Sequence, residues 1–257
     1  MAEMGLSIRR GTRAAKTGCR FFAVGVVLGL LLAVTGPAYG LTISPLNGRQ
    51  VVVAGAEAHY DVETDFTVDA TESLTTDPFV ETAMASAATD GSVGSAFASQ
   101  SSEVGAETVR GFGTSNASSV ALGVGANAES AGETLYLLEF EVDATASFQL
   151  DLQLTVANDQ NFLTIASFTF LDDGLSTFFE ERQLSGSEQA SLVGDLEPGH
   201  VYQIMAIARS ESLTPVASVL SSTGVAGFDF SLVVPEAATG LLLGLALLSL
   251  STARRHS

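Results

Sequence analysis

The residues of this sequence that could do chemistry are mainly carboxylates, and the densest group is Asp61, Glu63 and Asp65. Oxygen ligands of this kind suit calcium, which takes about six to eight of them and often includes carbonyl oxygens from a loop. Alternate residues of a strand lie roughly 6.5–7 Å apart, so neighbouring side chains do not easily chelate one ion. We therefore expect a solvated acidic strand face here, with a loop-assisted calcium site as the alternative.

Two histidines and an aspartate pair are the other residues that could take part in catalysis or metal binding. His59 and His200 lie far apart in the sequence, and no Gly-Xaa-Ser-Xaa-Gly or His-Glu-Xaa-Xaa-His motif accompanies them. Asp172 and Asp173 precede a glycine, and because Asp and Gly favour tight turns, a turn is favoured over half of a metal site. No catalytic arrangement is recognisable, so we predict a protein that is not an enzyme and that needs no cofactor.

The segments that must position these residues have the period of β-strands. Between residues 60 and 69, apolar side chains alternate with acidic ones, which predicts a strand with one apolar, buried face and one acidic face. The same alternation recurs at 148–156 and 228–234. One buried face per strand predicts an all-β fold, an antiparallel β-sandwich that is jelly-roll-like. Further candidate strands lie at 134–143, 161–171 and 200–209.

Residues 82–133 differ in composition, because alanine, serine, glycine and threonine dominate them. One interpretation is a set of weak strands with small side chains, and the other is a flexible insertion. Some alternation remains at 92–99 and 118–124, which favours the strands. In that case a few apolar residues would anchor them to the core: Val93, Phe97, Val109, Phe112, Val120 and Leu122.

The charge of the middle of the chain excludes one class of partner. Residues 41–234 contain 27 aspartates and glutamates but only four arginines and no lysine. Such an acidic surface repels phosphate backbones, so we expect no nucleic-acid partner.

The first forty residues have the three-part pattern of a secretory signal peptide. A basic stretch precedes an uncharged apolar run at 21–34, and Ala38 and Gly40 occupy the small-residue positions of a cleavage site. We therefore expect cleavage before Leu41. The only cysteine of the sequence lies in this leader, so the exported chain would have neither thiol chemistry nor disulfides.

The last residues have the pattern of a second targeting segment. After Val234-Pro235-Glu236 comes an uncharged run at 237–253, which as a helix would be about 25 Å long. That length is at the short limit for crossing a bilayer. Arg254 and Arg255 end the run, and the positive-inside bias would leave them in the cytoplasm. The sequence therefore predicts a transmembrane helix in the tail, with the acidic domain outside.

Together these features resemble the PEP-CTERM sorting signal, which combines a Val-Pro-Glu-Pro-like motif, an apolar helix rich in leucine and glycine, and a terminal arginine cluster. Val234, Pro235 and Glu236 match the motif, and Arg254 and Arg255 match the cluster. Ala237 stands where the family usually has a second proline. The residues that match the helix are Leu241, Leu242, Leu243, Gly244 and Leu245.

The resemblance implies more than the residues themselves show. Members of this family are exported proteins of Gram-negative bacteria, are processed near the motif by the membrane-embedded enzyme exosortase, and are often linked to exopolysaccharide and biofilm matrices. Many have β-rich bodies in which a Gly-Xaa-Leu-Xaa-Pro-Gly-Xaa-Xaa-Tyr-like turn precedes a late strand. The residues that fit this turn are Gly194, Leu196, Pro198, Gly199 and Tyr202.

We therefore expect three segments: a signal peptide at 1–40, an exported acidic β-sandwich domain at 41–234 and a sorting tail at 235–257. The predicted function is that of a non-enzymatic surface or extracellular-matrix protein in the cell envelope. Its expected partners are exosortase, the inner membrane before processing, and exopolysaccharide. The alternatives are a secreted carbohydrate-binding module and, less favoured, a glycan hydrolase; the absence of tryptophan weighs against a sugar-binding platform.

Overall fold

The computed structural model describes residues 42–159, 163–173, 176–214 and 220–235. They belong to one of the two compact units of the chain, Leu41–Ser257. The predicted signal helix with Ala38 and Gly40 lies outside the described residues. So does the tail from Glu236 onward, including the predicted transmembrane helix and its arginines. Within the described residues, the structure contains no helix long and apolar enough to cross a bilayer.

The described residues are organised as twelve strands. The strands are β1 (Ile43–Tyr60), β2 (Glu63–Ser73), β3 (Phe79–Ala88), β4 (Ser92–Val104), β5 (Thr108–Ala121), β6 (Ala126–Val142), β7 (Ala146–Asn158), β8 (Ile165–Asp172), β9 (Ser176–Gln183), β10 (Gly186–Leu196), β11 (Tyr202–Thr214) and β12 (Leu220–Val233).

These strands form two six-stranded antiparallel sheets that pack face to face. Sheet A has the order β2-β1-β6-β11-β8-β9, and sheet B has the order β10-β7-β12-β5-β4-β3. The pairs β8–β9, β7–β10, β6–β11 and β5–β12 are nested within one another and alternate between the sheets. The prediction of an all-β antiparallel sandwich is therefore confirmed.

The main apolar core lies where the predicted alternation is strongest. Every second residue of β7 and β12 points between the sheets and is at most 5% exposed from Phe148 to Val156 and from Phe228 to Val234. Their rings pack against those of sheet A; Phe230, for example, lies 5.1 Å from Phe168 between ring centroids. Burial of large apolar side chains is the main force that holds these two sheets together.

Residues 82–133 form strands, so the weak-strand interpretation is the one that the structure supports. They lie in β3, β4, β5 and the first part of β6, and a second, alanine-rich core joins β3 and β4 to β1. Small side chains let the two sheets approach closely there. A Cβ atom on Gly94 would lie 2.8 Å from the carbonyl oxygen of Glu129, and one on Gly132 would lie 2.7 Å from that of Phe97.

A buried polar network separates the two cores. Gln50 of β1 and Gln100 of β4 are each 2% exposed, and the amide of Gln100 donates to the side-chain oxygen of Gln50 at 3.2 Å. Thr134 of β6 donates to Gln100 at 2.7 Å, and Ser102 donates to Gln50. Because each of these polar groups needs its partner when buried, the network favours one alignment of β1, β4 and β6.

The prediction that the apolar face of β2 is buried is wrong. Phe66 and Val68 are 64% and 53% exposed, whereas the opposite face of the strand is turned toward β3 of sheet B. There the carboxylate of Asp65 accepts from the amide of Ala88 at 2.9 Å, and that of Asp69 accepts from the amide of Met84 at 3.0 Å. The edge strand β3 has unpaired backbone groups, which carboxylates can satisfy and apolar side chains cannot.

Some of the expected apolar anchors also point outward. Val109 is fully buried, but Phe112 is 46% exposed and Leu122 is exposed as well. The reason lies in the neighbouring strand: a Cβ atom on Gly111 or Gly113 would overlap the ring of Phe230 or Phe228, respectively. The inner positions of β5 must stay small to admit these rings, so the phenylalanine between the two glycines faces solvent. Val93 and Phe97 of β4 are exposed too.

Candidate functional site

The outer face of sheet B carries one continuous row of side chains that crosses all six strands. Each member lies directly opposite the next in the strand register, and each is at least partly exposed. With neighbouring strands about 4.8 Å apart, such a row is roughly 24 Å long. In order from β3 to β10, this central row consists of Val80, Ser101, Phe112, Asp229, Gln153 and Gln189.

Three open hollows lie side by side along the central row. Their volumes are about 630, 210 and 470 Å³, and Asp229 lines all three. Phe112 lines the two on the β5 side, and Gln153 lines the two on the β7 side. The hollows adjoin one another at Asp229, and together we call them the sheet B groove.

The local sequence explains the shape of this groove. The small inner residues of β5 allow Phe112 to stand on the outer face beside Asp229 of β12. In the next row on this face, two residues from Asp229, Gly227 lies between Thr114 and Thr155, so the floor there has no side chain. A ring and a carboxylate therefore rise beside a low floor, and the groove stays open at both ends.

The polar groups of the groove fall into two sets. Asp151, beside the central row, accepts hydrogen bonds from Gln149 at 2.9 Å and from Ser191 at 2.8 Å. The side chains of Asp229, Gln153 and Gln189 have no hydrogen-bond partner among the described residues. Their acceptors and amide donors thus face the groove and are free to bind a ligand.

The charge of the groove is negative. Asp229 and Asp151 lie close to its centre, and Glu103 lies opposite Arg110 in the neighbouring row. With three carboxylates and one guanidinium, the groove would repel a polyanion, whereas its carboxylates accept hydrogen bonds from hydroxyl or cationic groups. The arrangement can bind a ligand without offering a water-excluded reaction chamber.

A second cluster lies at one end of the sandwich and holds the metal-ligand types. β8 pairs antiparallel with β9, and Asp173, which follows β8, has a φ of 50°. The Pro198-Gly199 turn brings His200 beside it, so Nδ1 of His200 lies 2.8 Å from Oδ1 of Asp172 and 3.5 Å from Oδ2 of Asp173. The ligand atoms of the three residues lie within 4.8 Å of one another.

In this cluster an ion pair joins the end of β8 to the β10–β11 connection. The hydrogen bond with Asp172 raises the pKa of His200 above its ordinary value, and the nearby carboxylates act in the same direction. The other carboxylate oxygen of Asp173 accepts from the amide of Val201 at 3.0 Å. Sequence reasoning found the aspartates but missed the histidine, because only the pairing of β8 with β11 places it there.

The structure does not gather the predicted calcium candidates. Asp61 lies in the β1–β2 turn with a φ of 54°, Glu63 pairs with Tyr60, and Asp65 turns inward to the amide of Ala88. Among the described residues, the cluster around His200 is the one group of three or more potential metal ligands. The acidic face near residue 61 is thus partly structural, because Asp65 binds an edge strand.

The other histidine shows no catalytic geometry. Nδ1 of His59 lies 2.9 Å from Oγ1 of Thr64, and Nε2 lies 2.6 Å from Oε1 of Glu57. Among the described residues, the imidazole rings of His59 and His200 hydrogen-bond no serine; Ser92 Oγ donates to the backbone carbonyl oxygen of His59 at 2.8 Å.

The first two residues of the predicted sorting motif, Val234 and Pro235, are the last that the structure describes. Val234 is fully buried, and its amide donates to the carbonyl oxygen of Glu107 at 2.8 Å. Pro235 is exposed. The amide of Ile43, at the start of β1, donates to the neighbouring carbonyl oxygen of Ala106 at 2.8 Å, so both ends of the domain are held by the β4–β5 turn.

Comparisons with known proteins add no family. No family model and no curated protein match the chain. Among solved structures, one similar chain is that of a GH31 alpha-xylosidase (Xac1773) from Xanthomonas citri, known from a crystal structure. Its sequence identity is 11% and its TM-score is 0.17. The match covers 77% of this chain and spans 28% of that enzyme. At this level the similarity is too weak to indicate a function.

Proposed function

We propose that the chain is a non-enzymatic surface or extracellular-matrix protein, exported from a Gram-negative-type bacterium. In this proposal residues 1–40 are a signal helix that is removed, and 237–253 form a helix that holds the protein briefly in the inner membrane. Exosortase then processes the chain near Val234-Pro235-Glu236 and releases the domain to the cell envelope or its surroundings, where exopolysaccharide is the expected partner. The nested strand pairs support the description of this domain as jelly-roll-like.

The observation that carries this proposal is the position of the sorting motif directly after the last strand of the described residues. Among the described residues, the last strand stops at Val233, Val234 is the last buried residue, and Pro235 is exposed. A processing enzyme that acts near the motif would thus meet exposed Pro235 directly after buried Val234. The motif, the apolar run and Arg254-Arg255 then follow in the order of the sorting signal that they resemble.

A non-enzymatic role is supported by the character of the candidate sites. The groove is open along its length, and its carboxylates lie on a solvent-exposed sheet face. The histidine–aspartate cluster joins two connections and lines none of the three hollows described above. Neither has the water-excluded geometry in which acid–base catalysis is effective.

Pulse-chase labelling with cell fractionation tests the proposal. The full chain should appear first in the inner-membrane fraction and then, in a shorter form, at the cell surface or in the medium. A chain truncated after Pro235 should be exported without the membrane stage, because it lacks the proposed anchor. Retention of the full-length chain in the cytoplasm, or a membrane stage that persists after the truncation, would overturn the proposal.

A further inference from the structure

The central row offers the two kinds of contact that a polyhydroxylated chain needs. Phe112 presents a ring that is 46% exposed, which can cover the C–H face of a sugar ring. Beside it, Asp229 accepts hydrogen bonds, and Gln153 and Gln189 both donate and accept them. Hydroxyl groups are donors and acceptors at once, so they can pair with every one of these side chains.

The charge of the groove selects among such chains. Asp229, Asp151 and Glu103 outweigh Arg110, and the exported domain as a whole is strongly acidic. A uronate-rich or sulfated polymer would be repelled by this surface, whereas an uncharged one would lose nothing. The electrostatics therefore favour a neutral polysaccharide over an anionic one.

The shape of the groove favours a polymer over a small sugar. The three hollows follow one another from Val80 on β3 to Gln189 on β10, and each is open rather than enclosed. A single sugar would leave most of this length empty, but an extended chain could contact several strands. Repeated weak contacts along one polymer also add up to useful binding without a deep pocket.

We infer that the sheet B groove binds a segment of a neutral polysaccharide, with Phe112 as the ring platform and with Asp229 and Gln153 as the hydrogen-bonding groups at its centre. This inference deepens the proposed extracellular role by naming the class of partner. It does not depend on how the tail is processed, because binding is a property of the folded domain.

Affinity electrophoresis of the full chain in native gels tests the inference. The chain is purified in a polyoxyethylene detergent, which carries no sugar headgroup, and the gels contain dextran, xylan, galactomannan, mixed-linkage glucan or, as the anionic comparison, alginate. At least one neutral polymer should retard the chain, and alginate should not. Retardation by none of the neutral polymers, or by alginate more strongly than by them, would overturn the inference. Either result would leave the pulse-chase experiment on sorting unaffected.

Matched variants locate the binding surface. Phe112→Ala should raise the Kd for the retarding polymer about tenfold, which corresponds to about 1.4 kcal/mol. Phe66→Ala is the control, because Phe66 is also an exposed phenylalanine but lies on sheet A. Gln153→Ala is a second groove variant on an exposed position and should weaken binding as well. Equal binding by the Phe112 and Phe66 variants, with Gln153→Ala unchanged, would show that the groove is not the site.

Discussion

At the scale of single residues, position matters more than chemical type in this protein. His200 and Asp172 are residue types common on protein surfaces. The register of β8 and β11 places Nδ1 of His200 2.8 Å from Oδ1 of Asp172. Phe112 has the same chemistry as the core phenylalanines, yet it faces solvent because its neighbours Gly111 and Gly113 make room for other rings. Both outcomes depend on contacts between distant segments.

The ion pair at His200 predicts a pH dependence. The hydrogen bond with Asp172 raises the pKa of His200 above 6.5 in the folded state. The pair therefore stabilises the fold fully below the unfolded-state pKa, and this contribution is lost as the pH rises through the higher folded-state pKa. NMR titration of the imidazole should report the raised pKa, and the urea midpoint should fall over the same pH range.

Asp172→Asn is the matched variant for this titration, because it keeps the shape of the side chain and removes the charge. The pKa of His200 should move back toward 6.5, and the pH-dependent part of the urea midpoint should shrink. An unchanged His200 pKa in Asp172→Asn would contradict the role assigned to this ion pair.

At the scale of elements, β2 closes one side of the sandwich with side chains instead of a strand pairing. Asp65 and Asp69 accept from backbone amides of β3, and Thr67 donates to the carbonyl oxygen of Ser86 at 3.0 Å. Unpaired strand edges invite pairing with another chain, so these contacts protect β3 from self-association.

Removal of the two carboxylates should uncover this edge. In the double variant Asp65→Ala/Asp69→Ala we expect the free energy of unfolding to fall by about 1–2 kcal/mol, since two charged acceptors are lost. We also expect dimers or larger species in size-exclusion chromatography with light scattering. The variant Glu63→Ala/Asp90→Ala removes the same charge from exposed positions and should remain like the parent chain. Self-association in both variants alike would assign the effect to net charge rather than to the β3 edge.

The sequence predicts strands well where large residues alternate and poorly where they do not. The alternation at 148–156 and 228–234 returns as the buried faces of β7 and β12. For β2 the sequence correctly predicts an alternating strand but assigns the wrong face to the interior. An edge strand can turn its acidic side chains toward the free backbone amides of a strand in the other sheet, here β3. The two glycines that flank Phe112 are the one local feature of the sequence that indicates its outward position. No local feature indicates the order of the strands across the groove.

At the scale of the whole molecule, Asp229 of the groove and Val234 of the sorting motif lie toward the same end of β12. Asp229 and Val234 are five residues apart on the last strand, roughly 17 Å along it. Because Ile43 and Val234 both bind the β4–β5 turn, the chain enters and leaves the domain at one end. A polymer held in the groove would therefore lie close to the point at which the proposed anchor is removed.

The burial of Val234 limits where the chain can be cut. Its amide is held by Glu107 and its side chain is fully buried, whereas Pro235 is exposed. A protease that cuts the folded domain near its sorting motif should therefore act from Pro235 onward, because the preceding residues are buried Val234 and the strand β12.

Intact-mass measurement of the protein released by the native host tests the central claim of sorting most directly. We predict a chain that begins at Leu41, ends at Pro235 or a few residues later and lacks Leu241 to Arg255. A released chain that still carries Arg254 and Arg255 would contradict the proposed processing. A C-terminus at or before Val233 would contradict the claim that the fold defines the cleavage position.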